Sequence, residues 1–344
     1  MLPTSPGTPQ PPAIEPVADD RPRPRLSVML PTYAPDALLC ETLRSVLIQA
    51  PAADDMQICI VDDGSPPGLV EGFVRSVDPA GRIDIVRHGE RLGLGGNWNR
   101  AIALARGRFV HLLHQDDWVM PGFYARMLRG FDRAPDAGMA FCRTRIVDGA
   151  GRTIKSTSQV RWLAGVVDGW LPRIAERQRV QTPSAVVARA TYEALGGYRT
   201  DLRQALDWEM WVRIAAQRRV WYEPRRLAVY RRHAANETAR LFAAGEGWPD
   251  VARAIGINSR LLPAESRDRV VAASVRWYVS SALRTVEGLM AEGATDLAID
   301  TLAKIPDLIR LLPGRPLPPR VRRRFSTLAA RLGAAARPRI LATP

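Results

Sequence analysis

The feature that most constrains the fold is a repeated alternation of short apolar segments with amphipathic helical patterns in the first third of the chain. The apolar segments are residues 26–30, 56–61, 82–87 and 109–113. Strands that alternate with helices form βαβ units, so the sequence predicts an α/β fold with a mostly parallel central sheet flanked by helices. Residues 93–96, which are rich in glycine, predict a loop that opens the following helix.

Later segments continue the pattern less regularly. Residues 138–142, 182–188, 221–222 and 227–230 are apolar and predict further strands. Residues 207–215 carry apolar side chains at helical spacing and predict an amphipathic helix.

Polar pairs follow three of the predicted strands, at the point where each strand ends. They are Thr32-Tyr33, Asp62-Asp63 and Asp116-Asp117. The carboxyl ends of parallel strands meet at one edge of a sheet, and open α/β sheets bind their ligands there. Carboxylate oxygens suit Mg²⁺ or Mn²⁺, and such a cation usually also holds substrate phosphates. Taken alone, Asp116-Asp117 is more typical of a solvated acidic turn before the helix that begins near Pro121.

Charge and cysteine content narrow the function classes. The formal net charge is +14, and arginine supplies most of the positive charge because lysine stands only at positions 155 and 304. A basic chain suits phosphorylated ligands, anionic membranes or nucleic acid, but no nucleic-acid motif is present and we expect no such partner. Three separated cysteines indicate a reducing compartment. No apolar run is long enough for a signal peptide or a membrane span, so we expect a cytoplasmic protein.

Six short motifs occur in an order that resembles one known family. They are Pro31-Thr32-Tyr33, Val61-Asp-Asp-Gly-Ser65, Asn99-x-Ala-Ile-x-x-Ala-x-Gly107, Gln115-Asp-Asp117, Asp207-Trp208-Glu209-x-Trp211 and Tyr230-Arg-Arg-His233-x-x-Asn236. Together, over roughly residues 25–240, they resemble the family 2 glycosyltransferases, whose Rossmann-like fold is called GT-A. The resemblance implies transfer of a sugar from a nucleotide-diphosphate donor, with UDP favoured, and inversion at the anomeric carbon.

The resemblance also assigns residues to the donor and to a divalent cation, Mn²⁺ or Mg²⁺. The cation ligands would be Asp116, Asp117 and His233. Asp62 or Asp63 would accept a hydrogen bond from the base, although both could instead form an Asx-type turn. The residues expected to bind the nucleotide sugar are Pro31, Thr32, Tyr33, Asp62, Asp63, Gly64, Ser65, Asn97, Asn99 and Asp116.

This chain departs from the commoner family pattern at three positions. Trp98 stands where the family often has Arg, His114 where it has a further Asp, and Leu206 where it often has Glu. The departures at His114 and Leu206 motivate an alternative function, a non-catalytic nucleotide-sugar-binding protein with a degenerate site. A nucleotidyltransferase would need a Gly-rich basic loop after the first strand, which Pro31-Thr-Tyr-Ala-Pro35 does not supply.

Asp207 matches the acidic residue that the family uses as general base. One carboxylate near the acceptor hydroxyl is sufficient to remove its proton as the oxygen attacks the anomeric carbon. Asp201 and Glu209 are the competing carboxylates. Asp207 could also serve as an ordinary helix N-cap, and both roles can hold at once.

The absence of a Gln-x-x-Arg-Trp motif after Asp207, and of predicted membrane spans, indicates a non-processive enzyme that adds one or a few sugars. The acceptor would be a saccharide or a lipid-linked glycan in cell-envelope polysaccharide, lipopolysaccharide or glycolipid synthesis.

Four regions are expected: a disordered Pro-rich leader over 1–24, a GT-A domain over 25–240, a helical extension over 241–312 and an Arg-rich flexible tail over 313–344. The extension would either cover the acceptor cleft or mediate a homodimer. The tail would dock on anionic lipid at the inner face of the plasma membrane, or else remain a solvated tail.

Overall fold

A computed structural model describes residues 9–17, 22–233, 236–314 and 316–333. The chain divides into two compact units. Unit 1 contains the chain up to Trp170, together with Arg179–Asp201 and Arg213–His233. Unit 2 contains Leu171–Gln178, Leu202–Val212 and the chain beyond His233, so it draws two segments from inside the range 25–240.

Within the described residues, all strands belong to one ten-stranded sheet in unit 1. The strands are β1 (Leu26–Thr32), β2 (Met56–Asp62), β3 (Asp84–Arg87), β4 (Phe109–Leu112), β5 (Trp118–Val119), β6 (Ala137–Val147), β7 (Thr153–Ser156), β8 (Gly165–Val166), β9 (Ala185–Ala188) and β10 (Arg219–Arg231). Their order is β3-β2-β1-β4-β9-β6-β10-β5, with β7 beside β6 and β8 beside β10.

The strands β1 to β4 are parallel to one another, as predicted. The sheet as a whole is mixed, because β9 runs antiparallel between β4 and β6. Beyond it, β6 and β10 are parallel again and form the longest pairing. The two short strands predicted at 221–222 and 227–230 are one strand, β10, with register irregularities between Glu223 and Ala228.

The helices are α1 (Leu38–Leu47), α2 (Leu69–Val77), α3 (Gly93–Leu104), α4 (Phe123–Arg133), α5 (Trp170–Glu176), α6 (Arg189–Leu195), α7 (Leu206–Ala215), α8 (Glu237–Ala243), α9 (Gly247–Ser259), α10 (Ala264–Ala291), α11 (Thr295–Ile309) and α12 (Pro319–Arg331). Residues 182–184, predicted as strand, form a 3-10 turn that leads into β9.

The core of unit 1 follows from the strand period. Alternate residues of β1, namely Leu26, Val28 and Leu30, are buried in the same cluster as apolar residues of α1 and α2. On β1, Ser27 lies between two of these residues, and a Cβ at Gly107 would lie 2.5 Å from its backbone nitrogen. Only glycine therefore lets the chain enter β4 this close to β1.

The Pro-rich leader is not disordered throughout, in contrast to the prediction. Ile14 is buried, and the carbonyl of Pro12 accepts a hydrogen bond from the backbone nitrogen of Gly197 at 2.8 Å. The guanidinium of Arg189 donates to the carbonyl of Glu15 at 2.9 Å. One apolar anchor and two long-range hydrogen bonds thus hold residues 9–17 on unit 1, while residues 1–8 lie outside the described chain.

Unit 2 is helical. Its helices α9, α10 and α11 pack on one another, and α12 packs on α10. Part of the tail predicted as flexible is therefore helix α12, since Phe325 and Leu328 are buried and Arg324 forms an ion pair with Glu287. Arg315 and the residues after 333 lie outside the described chain. No helix among the described residues is long and apolar enough to cross a membrane.

Candidate functional site

Hydrogen bonds join the loops that follow β1, β2 and β4. The Gln115 side chain accepts from the backbone nitrogen of Tyr33 at 2.9 Å and donates to the carbonyl of Tyr33 at 3.1 Å. The backbone nitrogen of Ala34 donates to Ser65 Oγ at 2.8 Å. The polar strand ends therefore meet at one edge of the sheet, as predicted. The role of Gln115 as the connection between two loops was not predicted.

Asp62 ends β2 and shapes the turn after it. Its Oδ1 accepts hydrogen bonds from the backbone nitrogen of Ser65 at 3.1 Å and from the Ser65 hydroxyl. Its Oδ2 accepts from Arg87 Nε at 2.7 Å. Asp62 is fully buried, so these contacts supply the pairing that a buried carboxylate requires. Asp62 thus holds the turn after β2, but it does not cap α2, whose N-cap Gly68 has no side-chain cap hydrogen bond.

Asp63 caps the start of α3. Its two carboxylate oxygens accept from the backbone nitrogens of Leu92 at 2.6 Å and Gly93 at 2.9 Å. A negative charge at a helix N-terminus is favourable because the first backbone N–H groups have no partner within the helix. A carboxylate has about four acceptor positions, so both Asp62 and Asp63 keep capacity for a base N–H.

Tyr33 presents an aromatic surface at this edge. Tyr33 is 40% exposed, and the guanidinium carbon of Arg91 lies 3.7 Å from the ring centre. At this distance the guanidinium is attracted electrostatically to the face of the ring. Nothing in the sequence singled out Arg91.

Asn97 and Asn99 have structural contacts. Asn97 is buried, donates to the carbonyl of Val61 at 3.0 Å and lies 3.3 Å from His88 Nε2. Asn99 accepts from the backbone nitrogen of Tyr198 at 2.6 Å and donates to its carbonyl at 2.8 Å. These contacts tie α3 to β2 and to the segment after α6. A contact of either asparagine with the nucleotide stays a prediction.

The acidic pair lies within a cluster of possible metal ligands. One ligand atom each from His114, Asp116 and Asp117 lie within 4.8 Å of one another. Asp116 Oδ2 also lies 2.9 Å from His233 Nε2. Carboxylate oxygens and imidazole nitrogens fit Mn²⁺, and the carboxylates fit Mg²⁺. Of the predicted ligands, Asp116 thus lies beside both Asp117 and His233, and His114 joins the acidic pair in one cluster.

Burial dominates the electrostatics of Asp117. Its pKa is raised to about 6, first because burial penalises the charged form and then because the negative charge of Asp116 lies nearby. His114 Nδ1 lies 3.3 Å from one carboxylate oxygen, and the backbone nitrogen of Arg231 donates to the other at 2.9 Å. Cation binding at this carboxylate would release a proton at pH values below about 6.

Two of the departures from the commoner family pattern contact each other. The rings of Trp98 and His114 are stacked, with centres 4.9 Å apart and planes 27° from parallel. The edge of Tyr198 packs against Trp98 with centres 4.9 Å apart. An aromatic pair therefore occupies the place where the commoner pattern has Arg and Asp.

Asp207 lies in unit 2, in the first turn of α7. Its Oδ2 accepts from Gln178 Nε2 at 2.7 Å, and its Oδ1 from the backbone nitrogen of Trp208 at 2.7 Å. Because α7 begins at Leu206, Asp207 is inside the helix rather than at the N-cap. The contact with Gln178 was not predicted, because residues 152–178 gave no clear pattern.

The competing carboxylates are placed differently. Glu209 is only 2% exposed. Asp201 belongs to unit 1, where Arg199 donates to it at 2.8 Å. Asp201 and Asp207 are both half-buried, so burial sets only Glu209 apart from Asp207.

Comparison with known proteins gives matches of three kinds. The family described as "Glycosyl transferase family 2" matches residues 27–195. "Uncharacterized protein MT1568" of Mycobacterium tuberculosis (strain CDC 1551 / Oshkosh) is 29% identical over 64% of this chain and 71% of that protein. "Putative glycosyltransferase EpsH" of Bacillus subtilis (strain 168) is 31% identical over 31% of this chain and 30% of that protein.

Among solved structures, TarS 1-349 of S. aureus in complex with UDP-GlcNAc has a TM-score of 0.67 and 16% identity. The likeness covers 84% of this chain and 82% of that one. At this identity the likeness shows the fold, which is GT-A. The family match and the fold agree, and they identify residues 27–195 as a glycosyl transferase family 2 domain.

Proposed function

We propose that this protein is an inverting glycosyltransferase that moves a sugar from a nucleotide-diphosphate donor to an acceptor hydroxyl. The observation that carries the proposal is the meeting of the loops after β1, β2 and β4 at one sheet edge, where Asp116, Asp117 and His233 lie together. UDP is the favoured nucleotide. The acceptor is a saccharide or lipid-linked glycan of the cell envelope, and the extension helices either cover it or form a homodimer.

The reaction needs no nucleophile from the protein. The acceptor oxygen attacks the anomeric carbon from the face opposite the diphosphate, and the bond to the diphosphate breaks with its electron pair leaving on the phosphate oxygen. Asp207 takes the hydroxyl proton, as a half-buried carboxylate oriented by Gln178 can do. A divalent cation, when bound, supplies positive charge that neutralises the leaving diphosphate.

The chain's own residues then have distinct tasks. Asp116 and His233 would hold the cation, with Asp117 and His114 as its further ligands. Asp62 or Asp63 would accept a hydrogen bond from the base, next to the aromatic surface of Tyr33. Pro31 and Thr32, at the end of β1, and Gly64 and Ser65, in the loop after β2, would line that position.

A thermal-shift screen of nucleotide sugars tests the donor assignment. A UDP-sugar supplied at about 100 times its Kd should raise the free energy of unfolding by about 2.7 kcal/mol. The increase should require Mn²⁺ or Mg²⁺ if the cation joins the diphosphate to the acidic cluster. A screen in which no nucleotide sugar shifts the unfolding temperature, with or without Mn²⁺, would contradict the proposal.

Measuring nucleoside diphosphate release in the same protein samples distinguishes the glycosyltransferase from a non-catalytic nucleotide-sugar-binding protein. Slow Mn²⁺-dependent release of the nucleoside diphosphate, by transfer or by hydrolysis, is expected of the enzyme. A stable donor complex without any release would instead support the degenerate binding protein.

We propose in addition that α12 attaches the protein to an anionic membrane surface. The helix carries five arginines and no acidic residue. Its apolar side chains Phe325 and Leu328 are buried, Arg324 is paired with Glu287, and the remaining arginines are exposed. These exposed arginines are Arg320, Arg322, Arg323 and Arg331.

Vesicle sedimentation should detect this attachment. Phosphatidylglycerol vesicles should bind the protein at low salt, and binding should weaken as salt rises. Changing Arg320, Arg322 and Arg323 together to Gln should reduce the free energy of vesicle binding by about 1 kcal/mol for each arginine. The three changes together should lower the affinity for the vesicles roughly a hundredfold. The control changes three dispersed, exposed arginines of unit 1, Arg44, Arg75 and Arg129, to Gln. Equal losses in both variants, or no binding at low salt, would contradict the proposal.

A further inference from the structure

Side-chain donors from elsewhere in unit 1 lie within hydrogen-bond distance of three consecutive carbonyls around the acidic pair, those of Gln115, Asp116 and Asp117. Arg231 Nε donates to the carbonyl of Asp116 at 3.2 Å. The Thr42 hydroxyl lies 2.9 Å from the carbonyl of Gln115 and 2.7 Å from that of Asp117, so its single proton can serve either one. We call the set of Thr42, Arg231 and Glu41 the carbonyl clamp. Glu41 belongs to this set because its carboxylate pairs with the Arg231 guanidinium.

Arg231 is the centre of the clamp. Its side chain is 4% exposed, and a buried guanidinium requires charge and hydrogen-bond partners. One terminal nitrogen donates to the carbonyl of Gly149 at 3.0 Å, and the other pairs with the carboxylate of Glu41 on α1. The guanidinium carbon lies 4.7 Å from the ring centre of Trp118. The planar fork of arginine, with its donors fixed in different directions, makes these contacts possible at once.

The clamp and the acidic cluster share one strand end. The backbone nitrogen of Arg231 donates to a carboxylate oxygen of Asp117, and His233, just after β10, contacts the carboxylate of Asp116. The end of β10 therefore fixes both the backbone and the carboxylates of the pair. Contacts that orient the ligands of a metal usually govern its affinity.

We propose that Arg231 is a positioning residue for the cation site, with Glu41 as its charge partner and Thr42 as a second support. The inference rests on the proposed function, since it assigns the clamp to the same cation. Arg231 holds the loop through carbonyls and does not touch the reacting atoms. Its loss should change cation affinity through the geometry of Asp116 and Asp117.

The test compares Arg231→Gln, Arg231→Lys and Glu41→Gln with the natural chain. Hydrogen exchange followed by mass spectrometry reports on residues 115–118 without any cation, and electron paramagnetic resonance of free Mn²⁺ reports on binding. Arg231→Gln should speed exchange of 115–118 and weaken Mn²⁺ binding by about 10- to 100-fold. Glu41→Gln, whose side chain is half exposed, should have the same effects to a smaller degree. Arg231→Lys keeps the charge without the fork and should restore only part of the affinity.

Arg226→Gln is the matched control, because Arg226 is an exposed arginine on the same strand. It should change neither exchange nor Mn²⁺ binding. Faster exchange of 115–118 with unchanged Mn²⁺ affinity would overturn the inference, leaving Arg231 a purely structural residue. Unchanged exchange in Arg231→Gln would overturn it as well. If the natural chain binds no Mn²⁺ at all, the proposed cation fails, and the exchange data still show separately whether the clamp holds the loop.

Discussion

The Asp207→Asn variant is expected to lower kcat by about 10² to 10⁴-fold, the usual contribution of a general base. Donor binding should survive, because the change removes a negative charge in unit 2 and leaves the donor-binding loops of unit 1 intact. Asparagine keeps a side-chain oxygen that can accept from Gln178 or from the backbone of Trp208. Turnover of the donor and the donor-induced thermal shift, measured on the same preparations, separate these two effects.

Asp201→Asn and Glu209→Gln are the controls for this prediction, because each removes one of the competing carboxylates. Neither should match the loss caused by Asp207→Asn. Near-normal turnover in Asp207→Asn would remove Asp207 from the mechanism, and a large loss in only one of the two controls would transfer the role of base to that residue.

The second large effect is expected for the Asp116→Asn variant, which should bind the cation and the nucleotide-sugar donor more weakly. The variant loses a charged ligand at the centre of the cluster and the contact with His233. A cation supplies several kcal/mol of charge stabilisation in the transition state, so kcat/KM should fall by about 10² to 10³-fold. The Mn²⁺-dependent part of the donor-induced thermal shift should also disappear.

Asp136→Asn provides a matched control, since Asp136 is an exposed carboxylate paired with Arg219 and takes no part in the cluster. A Mn²⁺-dependent donor shift that persists in Asp116→Asn would show that the cation is held elsewhere. Asp207→Asn and Asp116→Asn together distinguish the role of the base from the role of the cation ligand. Asp207→Asn should impair turnover while donor binding stays normal, and Asp116→Asn should impair donor binding itself.

The sequence predicts the parallel part of the sheet because each of its strands is a short apolar run with turn residues on both sides. It misses the continuity of β10, because the polar stretch around Pro224 resembles a strand end. The register irregularities around Pro224 absorb that stretch and let the strand continue. The start of α3 is missed for another reason. The helix begins at Gly93 because Asp63, which is distant in sequence, accepts hydrogen bonds from the backbone nitrogens of Leu92 and Gly93. Without knowledge of that contact, the glycines at 93–96 resemble a loop.

The candidate site was predictable where a motif contains the residue. Tyr33, Asp62, Asp116 and His233 fall at strand ends and meet as expected. Their supports were not predictable in this way, since Glu41 in the sequence looks like an ordinary charge on a helix surface. Arg231 reaches Glu41 only because the fold places the end of β10 next to α1. Local patterns identify groups that act on a ligand more readily than the groups that hold them.

The stacked rings of Trp98 and His114 have an electrostatic consequence for substitutions at these two positions. The pair has no net charge when the histidine is neutral, and the Arg and Asp pair of the commoner pattern has no net charge either, because its two opposite charges cancel. A carboxylate at 114 without a cation at 98 would lie beside the buried Asp117 and raise its cost of ionisation. An arginine at 98 without that carboxylate would lose its counter-ion. The two positions are therefore coupled electrostatically, and changing either one alone leaves an uncompensated charge beside the acidic pair.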